Sequence, residues 1–521
     1  MGDSNTEQML AKVDAIRRRR AEVELMGGAA RVEAQHKAGR LTARERIALF
    51  FDTDTFVEMD AFARCLGREL GMDKVNPPAD GVITGYGEVN GRTVAAFAQD
   101  FTCIGGTMGE MHGKKIVKIT ELAGNWGVPC VGFHESGGAR LQEFLTVSRE
   151  YGNLFYLNSI YSGVIPQISA MCGAVAGGQT YSPGLTDFVF MTRDGAAFIA
   201  GPPLVESMIG EKISVEELGG TRLHSTVSGV CHVVAQDDRD CIEKIKDLLS
   251  YLPANNREKP PRVKSEDPPD RKNDKLYQIV PASATTPYDM HKVIYEVVDG
   301  GKFFEVHRDY CRNMIAGFAR FDGQPVGIVA NNPGFQAGSI TCKAAEKAAR
   351  FIRFCDAFNI PLVYLVATPA YMVGSEQERE GMIYRGATLL YATSEATVPK
   401  VTVIIGWAYA GAYIAMGSKY LKSDVLYAWP TAEIGLVAAE GVVNIVFRKE
   451  IAQASDAPAE RKKREDEFRR TYMDIMYPAS YQHVDDIIDP KDTRWRIVQA
   501  LRALEKKKVD LPWRKHGNMP L

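Results

Sequence analysis

Residues 82–106, VITGYGEVNGRTVAAFAQDFTCIGG, return 232 positions later as residues 314–338, MIAGFARFDGQPVGIVANNPGFQAG. Thr84-Gly85-Tyr86 falls on Ala316-Gly317-Phe318, Asn90-Gly91 on Asp322-Gly323, and Gly106 on Gly338. The correspondence continues without a gap, Lys115 meeting Lys347, Lys118 meeting Arg350, and Val128-Pro129 meeting Ile360-Pro361. With the offset raised by one, Pro166 meets Pro399, Gly173 meets Gly406 and Gly178 meets Gly411. The chain is an internal duplication, and each half is one domain. The Pro-rich, charged stretch 253–275 has the composition of a linker. The expected division is a first domain over 1–258, a linker over 259–275 and a second domain over 276–521.

Inside each half the pattern alternates between strand and helix. Residues 92–98 read as a strand, and 114–123 as an amphipathic helix with apolar residues at 116, 117, 119 and 122. Residues 130–133 read as a strand ending at Glu135-Ser136-Gly137-Gly138. The second half repeats this with strands at 325–330 and 362–366 around a helix at 344–358, then a strand at 401–405 running into Gly406. Such alternation predicts an α/β fold, a mostly parallel sheet with helices against its faces. Ligands then bind beyond the carboxyl ends of the strands.

Composition narrows the partners. The 521 residues carry 63 basic and 65 acidic side chains, a net charge of −2, which gives no electrostatic reason to expect nucleic acid or a membrane surface. Nine scattered cysteines form no CxxC pair, which argues against a disulfide framework and a zinc ribbon. No long apolar run predicts a membrane span, and no apolar leader is present. The expected location is the cytoplasm.

The chemistry-bearing feature is a set of Gly-rich turns: Gly105-Gly106, Ser136-Gly137-Gly138-Ala139, Ala176-Gly177-Gly178 and Ala410-Gly411-Ala412. None forms GxGxxG after a strand or a Walker A sequence. One reading is structural, with Gly allowing a tight strand-to-helix turn. The other is chemical, because a Gly turn opening a helix leaves N–H donors that bind an oxyanion. Two such turns in two halves give two oxyanion holes, and carboxyl transfer between biotin and an acyl thioester asks for two. Side-chain machinery is sparse: there is no HExxH and no GxSxG. Ser136 lacks the elbow of a nucleophile, His134 reads as structural, and Glu135 and Glu143 read as surface or capping carboxylates.

On these residues the chain resembles the carboxyltransferase (β) subunits of propionyl-CoA carboxylases and related biotin-dependent acyl-CoA carboxylases. The resemblance runs from Ala34-Gln35-His36-Lys37 to Pro512-Trp513-Arg514-Lys515-His516. Between them lie DGVITGYG (80–87), SGGARLQE (136–143), GVIPQIS (163–169), AGG with YSP (176–183), ELGG with HSTVSGV (217–230), RFCDAFNIPL (353–362), EATVPKVTVI (395–404) and AWPTAEI (428–434). It implies two tandem crotonase-like βα domains and a homohexameric ring, the first half of one subunit facing the second half of another. It implies that CoA lies along the first half and carboxybiotin, on a separate carrier, over the second. The family's donor pairs carry over onto Gly137-Gly138 for the thioester enolate and Gly411-Ala412 for the biotin oxygen. The biotin nitrogen takes the α-proton, and no metal is implied. Gly105, Gly106, Ser136, Ala139, Arg140, Gly177, Gly178 and Ile414 are the accompanying acyl-CoA candidates. Thr368, Tyr371, Tyr409 and Ala410 are the biotin-side candidates. With no Met-Lys-Met site and no ATP loop, a biotin carboxylase and a biotin carboxyl carrier are the expected partners, with ATP used only there.

Two departures bear on specificity. The family's Asp-Val-Pro-Gly-Phe is here Ala367-Thr368-Pro369-Ala370-Tyr371, and its Gly-Gly-Ala-Tyr-Asp is here Ala410-Gly411-Ala412-Tyr413-Ile414. Two other readings stay open: the carboxyltransferase subunit of a sodium-translocating acyl-CoA decarboxylase, and a non-catalytic scaffold subunit.

Overall fold

The computed structural model describes residues 2–68, 70–283 and 286–520. The chain forms two compact units, Met1–Glu258 and Lys259–Leu521. The first contains strands β1 (Val57–Met59), β2 (Val82–Val89), β3 (Arg92–Gln99), β4 (Cys130–Ser136), β5 (Gln167–Ala176), β6 (Phe188–Thr192), β7 (Ala196–Phe198) and β8 (Val233–Ala235). The second contains β9 (Phe304–Val306), β10 (Met314–Phe321), β11 (Gln324–Asn331), β12 (Leu362–Thr368), β13 (Lys400–Tyr409), β14 (Val425–Ala428), β15 (Glu433–Gly435) and β16 (Asp486–Ile487). The sheets have matching orders, β1-β2-β3-β4-β5-β6-β8 with β7 on β5, and β9-β10-β11-β12-β13-β14-β16 with β15 on β13.

Each sheet opens with a hairpin and is parallel from its third strand onward. Asn90-Gly91 turns the first hairpin at φ +50° and +72°, and Asp322-Gly323 the second at +52° and +76°. Both residues of a type I′ turn need positive φ, which Asn, Asp and Gly adopt at least cost. Asp52 accepts hydrogen bonds from the N–H groups of Asn90 and Gly91, and Asp299 does the same for Asp322 and Gly323. Gly85 and Gly87 dilute the apolar pattern over 82–89, which therefore does not predict this strand. The reason for Gly85 is tertiary: a Cβ there would sit 2.3 Å from the Val57 carbonyl oxygen.

The crossover helix Glu110–Trp126 includes the segment that periodicity predicts, and Cys342–Ala357 covers the second up to its last residue, Phe358, which caps the helix. Ile116, Ile119 and Ala123 bury one stripe of the first against β2 and β3. Each helix also sends a buried lysine inward. Lys115 Nζ donates to the carbonyls of Ala79 and Val82, and Lys347 Nζ to those of His307, Tyr310 and Met314. Burial brings both amines down to about 8. The duplicated lysine thus staples the chain that enters the hairpin.

Residues 259–275 are not a free tether. Arg494, fully buried, donates to the carbonyls of Asp267, Pro268 and Val297, and Arg271 pairs with Asp267 at 2.6 Å. Prolines withhold N–H donors along this stretch, and these side chains anchor it to the second unit instead.

Candidate active site

At the carboxyl end of β4 the sheet register slips between His134 and Ser136, and at the end of β12 it slips between Val366 and Thr368. Such irregularities re-aim the chain at the rim of a sheet. Three of the Gly pairs converge beyond the first slip. Gly137 N–H donates to the Gly105 carbonyl at 2.9 Å, and Gly138 N–H to Ser136 Oγ at 3.1 Å. A Cβ on Gly106 would fall 2.1 Å from the Glu135 carbonyl oxygen, and one on Gly138 2.9 Å from that of Ala176. These glycines are there for close approach.

This geometry corrects the expectation for Gly137-Gly138. The pair does not open a helix; it runs through a bridge between Ala139 and Met108. Both of its N–H groups already have acceptors. Its counterpart in the second unit is Pro369-Ala370, where the first residue has no N–H to offer.

The turns that do open helices follow β5 and β13. Gly177–Thr180 is a 3₁₀ turn leading into Tyr181–Leu185, and Ala410–Ala415 is α-helical. The first N–H groups of such turns, those of Gly177 and Gly178 and of Gly411 and Ala412, have no intrahelical acceptor. No N-cap side chain serves either turn. The two stand at equivalent places: Gly178 and Gly411 are paired by the duplication, and each faces an aromatic ring. A Cβ on Gly178 would meet Tyr151 at 3.5 Å, and one on Gly411 would meet Tyr371 at 3.6 Å. The residue before each has positive φ, +65° at Gly177 and +48° at Ala410. The signal for this pairing was present in the sequence, in the raised offset that put Gly178 on Gly411.

The polar side chains at the end of β4 are engaged. Ser136 is wholly buried and accepts from Gly138. His134 is buried between Gln179 Nε2 and Ser169 Oγ, each 3.2 Å away, and burial drives its pKa down to about 3. It is a neutral, structural imidazole. Glu135 and Glu143 are not surface carboxylates. Glu135 is wholly buried against Arg46 at 2.7 Å, and Glu143 pairs with Arg140 at 2.7 Å. Arg140 also pairs with Asp80 at 2.6 Å and is 1% exposed, so it does not reach outward toward a CoA phosphate. Cys65, Asp80 and Glu143 bring possible ligand atoms within 4.8 Å of one another, but the Arg140 guanidinium already bonds to all three.

Around the second turn, Thr368 is buried with its hydroxyl toward the Ala370 carbonyl, and Tyr371 lays its ring beside Gly411 while donating to the Gly386 carbonyl. Tyr409 is 3% exposed and donates to Glu433 at 2.6 Å, which removes it from the open surface. Ile414 follows on the same helix, half-buried. Among the described residues no helix is long and apolar enough to cross a membrane.

Comparison with known proteins places this geometry. Residues 34–519 match the carboxyl transferase domain family. The methylmalonyl-CoA decarboxylase subunit alpha of Propionigenium modestum is 48% identical over 98% of this chain and 99% of that protein. The carboxyltransferase subunit of Haloferax mediterranei propionyl-CoA carboxylase is 47% identical with the same coverage. The crystal structure of transcarboxylase 12S, a hexamer with methylmalonyl-CoA bound, superposes with a TM-score of 0.96 at 44% identity over 98% of each chain. Two duplicated units with uncapped turns, matched over 98% of the chain, identify it as a member of the carboxyl transferase family, and as a carboxyltransferase enzyme.

Proposed function

We propose that the chain moves a carboxyl group between carboxybiotin, on a separate carrier protein, and the α carbon of a short acyl-CoA of the propionyl–methylmalonyl type. The observation that carries this reading is the pair of uncapped turns, Gly177-Gly178 after β5 and Gly411-Ala412 after β13, with the nearby His134 neutral and engaged on both ring nitrogens. Bound carboxybiotin supplies the carboxyl group and a nitrogen able to take the α-proton. The protein's part is electrostatic. The N–H groups of Gly177 and Gly178 hold the thioester oxygen as it becomes an enolate, and those of Gly411 and Ala412 hold the ureido oxygen. A preorganised donor of this kind is worth ~10²–10³ in rate. The Gly137-Gly138 turn is backing for the first hole, pressed against Ala176.

The carrier and its biotin carboxylase are separate polypeptides in this reading, and the working form is a homo-oligomer, as transcarboxylase 12S is a hexamer. Direction belongs to the partner. A decarboxylase subunit and a carboxylase subunit resemble the chain almost equally. The purified protein, incubated with carboxylated carrier and acetyl-, propionyl- and butyryl-CoA, is expected to give the α-carboxylated thioesters by mass spectrometry, the propionyl product fastest. No carboxylated thioester from any of the three would contradict the reading.

A further inference from the structure

The two donor turns are held by different means. In the first unit the residue after Gly178 is Gln179, wholly buried, whose Nε2 lies 3.2 Å from His134 Nδ1. His134 Nε2 lies 3.2 Å from Ser169 Oγ on the neighbouring strand, and Ser169 Oγ accepts from Thr186 Oγ1 at 3.1 Å. A chain of polar contacts therefore runs from β6's leading turn through β5 and β4 to the donor turn. Because the Gln179 amide donates to Nδ1, His134 carries its proton on Nε2 and donates it to Ser169. In the second unit the counterparts of His134, Ser169 and Gln179 are Val366, Thr402 and Ala412. Thr402 bonds elsewhere, to the Gly417 carbonyl and Ser423. The apolar pair Val366 and Ala412 has no such bond to make.

Resting on the assignment of Gly177 and Gly178 as donors, we propose that His134 and Gln179 are positioning residues for the acyl half of the reaction, fixing the Gly177-Gly178 turn to β4 through one buried hydrogen bond. The His134 ring stands between the two features that must be in register, the slip at the end of β4 and the first turn after β5. It stacks edge-on against Phe97, with ring centroids 5.2 Å apart, so it cannot swing away without opening the core. A neutral imidazole is the suitable anchor, since it offers one acceptor and one donor in fixed directions and places no charge beside a developing enolate. The Gln179 carbonyl oxygen has no partner among the described residues, so the amide holds its place through the histidine alone. A loose turn would put the donors off the position the enolate oxygen reaches, and ångström-scale misplacement costs up to ~10²-fold in rate.

The test uses the assembled enzyme with carboxylated carrier and propionyl-CoA. Gln179→Leu keeps the volume and removes the amide. The expected result is a fall in kcat of about tenfold with KM for acyl-CoA within about twofold of wild type, because the loss bears on the transition state. The pH–rate profile should keep its shape. The double variant His134→Leu/Gln179→Leu removes the unpaired polar groups, so it should recover thermal stability without recovering kcat. Recovery of both together would reduce the pair to a structural one and overturn the proposal, and so would a displaced pH profile, which would make His134 a base. Gly178→Pro, which deletes a donor outright, separates the two levels. If it is crippled while Gln179→Leu keeps wild-type kcat, the positioning role alone fails. If Gly178→Pro itself turns over normally, the donor assignment fails and the positioning role with it.

Discussion

Ala410 carries a methyl group at φ +48°, where its counterpart Gly177 sits at +65° with none. Left-handed backbone costs a non-glycine residue about 1–2 kcal/mol. Ala410→Gly should therefore stabilise the protein by about 0.5–1 kcal/mol after the added freedom of the unfolded chain is subtracted, read as a shift in the urea midpoint. His134 gives a second prediction at this scale. Burial holds its pKa at about 3 in the folded protein against an ordinary value of 6.5, so the unfolded chain takes the proton first. The histidine's contribution is complete above pH 6.5 and is lost as the pH falls toward 3. In His134→Leu the dependence of stability on pH across that window should be shallower, whatever its absolute stability; an unchanged slope would show that His134 does not govern it. The sequence displayed every glycine of the site but not which N–H groups are free. Gly137 looked like a donor because its acceptor, the Gly105 carbonyl, belongs to a distant loop. Arg140 and Glu143 looked accessible because nothing local shows that they close on Asp80.

Among the elements, the helix Ala43–Phe50 illustrates how the site is braced. Thr42 and Glu45 cap it reciprocally, and Arg46 projects from it into the core, where it meets Glu135 at 2.7 Å and Asp238 at 3.1 Å. Arg46 joins the last residues of β4 to the helix Asp238–Tyr251. Arg46→Met would leave the buried Asp238 without its cation and Glu135 with only the partly exposed Arg40 at 3.2 Å, and a cost of about 3–5 kcal/mol is expected in urea unfolding. The comparison is Arg44→Met, whose partly exposed pair with Glu58 should be worth about 1 kcal/mol or less. Equal costs would remove the argument that burial decides the difference. Helices Glu110–Trp126 and Cys342–Ala357 were legible because an apolar stripe is a local signal. The strand Val82–Val89 was not, because its glycines answer to Phe56 and Val57 packed across them.

For the whole molecule, the duplication was the most informative thing in the sequence. It implies two α/β units, and the sheets repeat one another strand for strand. It also pairs Gly178 with Gly411 and leaves Gly137 opposite a proline. In the proposed reaction, catalysis rests on backbone donors in two equivalent turns, with the side chains around them serving as scaffolding. The most direct measurement of that claim is kcat for carboxyl transfer by Gly178→Pro, prepared with unchanged circular dichroism and oligomeric state. Proline is tolerated in the first turn of a helix, and a Cβ at this position meets only ordinary contact with Tyr151. The account predicts a loss in kcat of at least about 10²-fold, with acyl-CoA binding nearly intact. A correctly assembled Gly178→Pro enzyme turning over at close to the wild-type rate would contradict it.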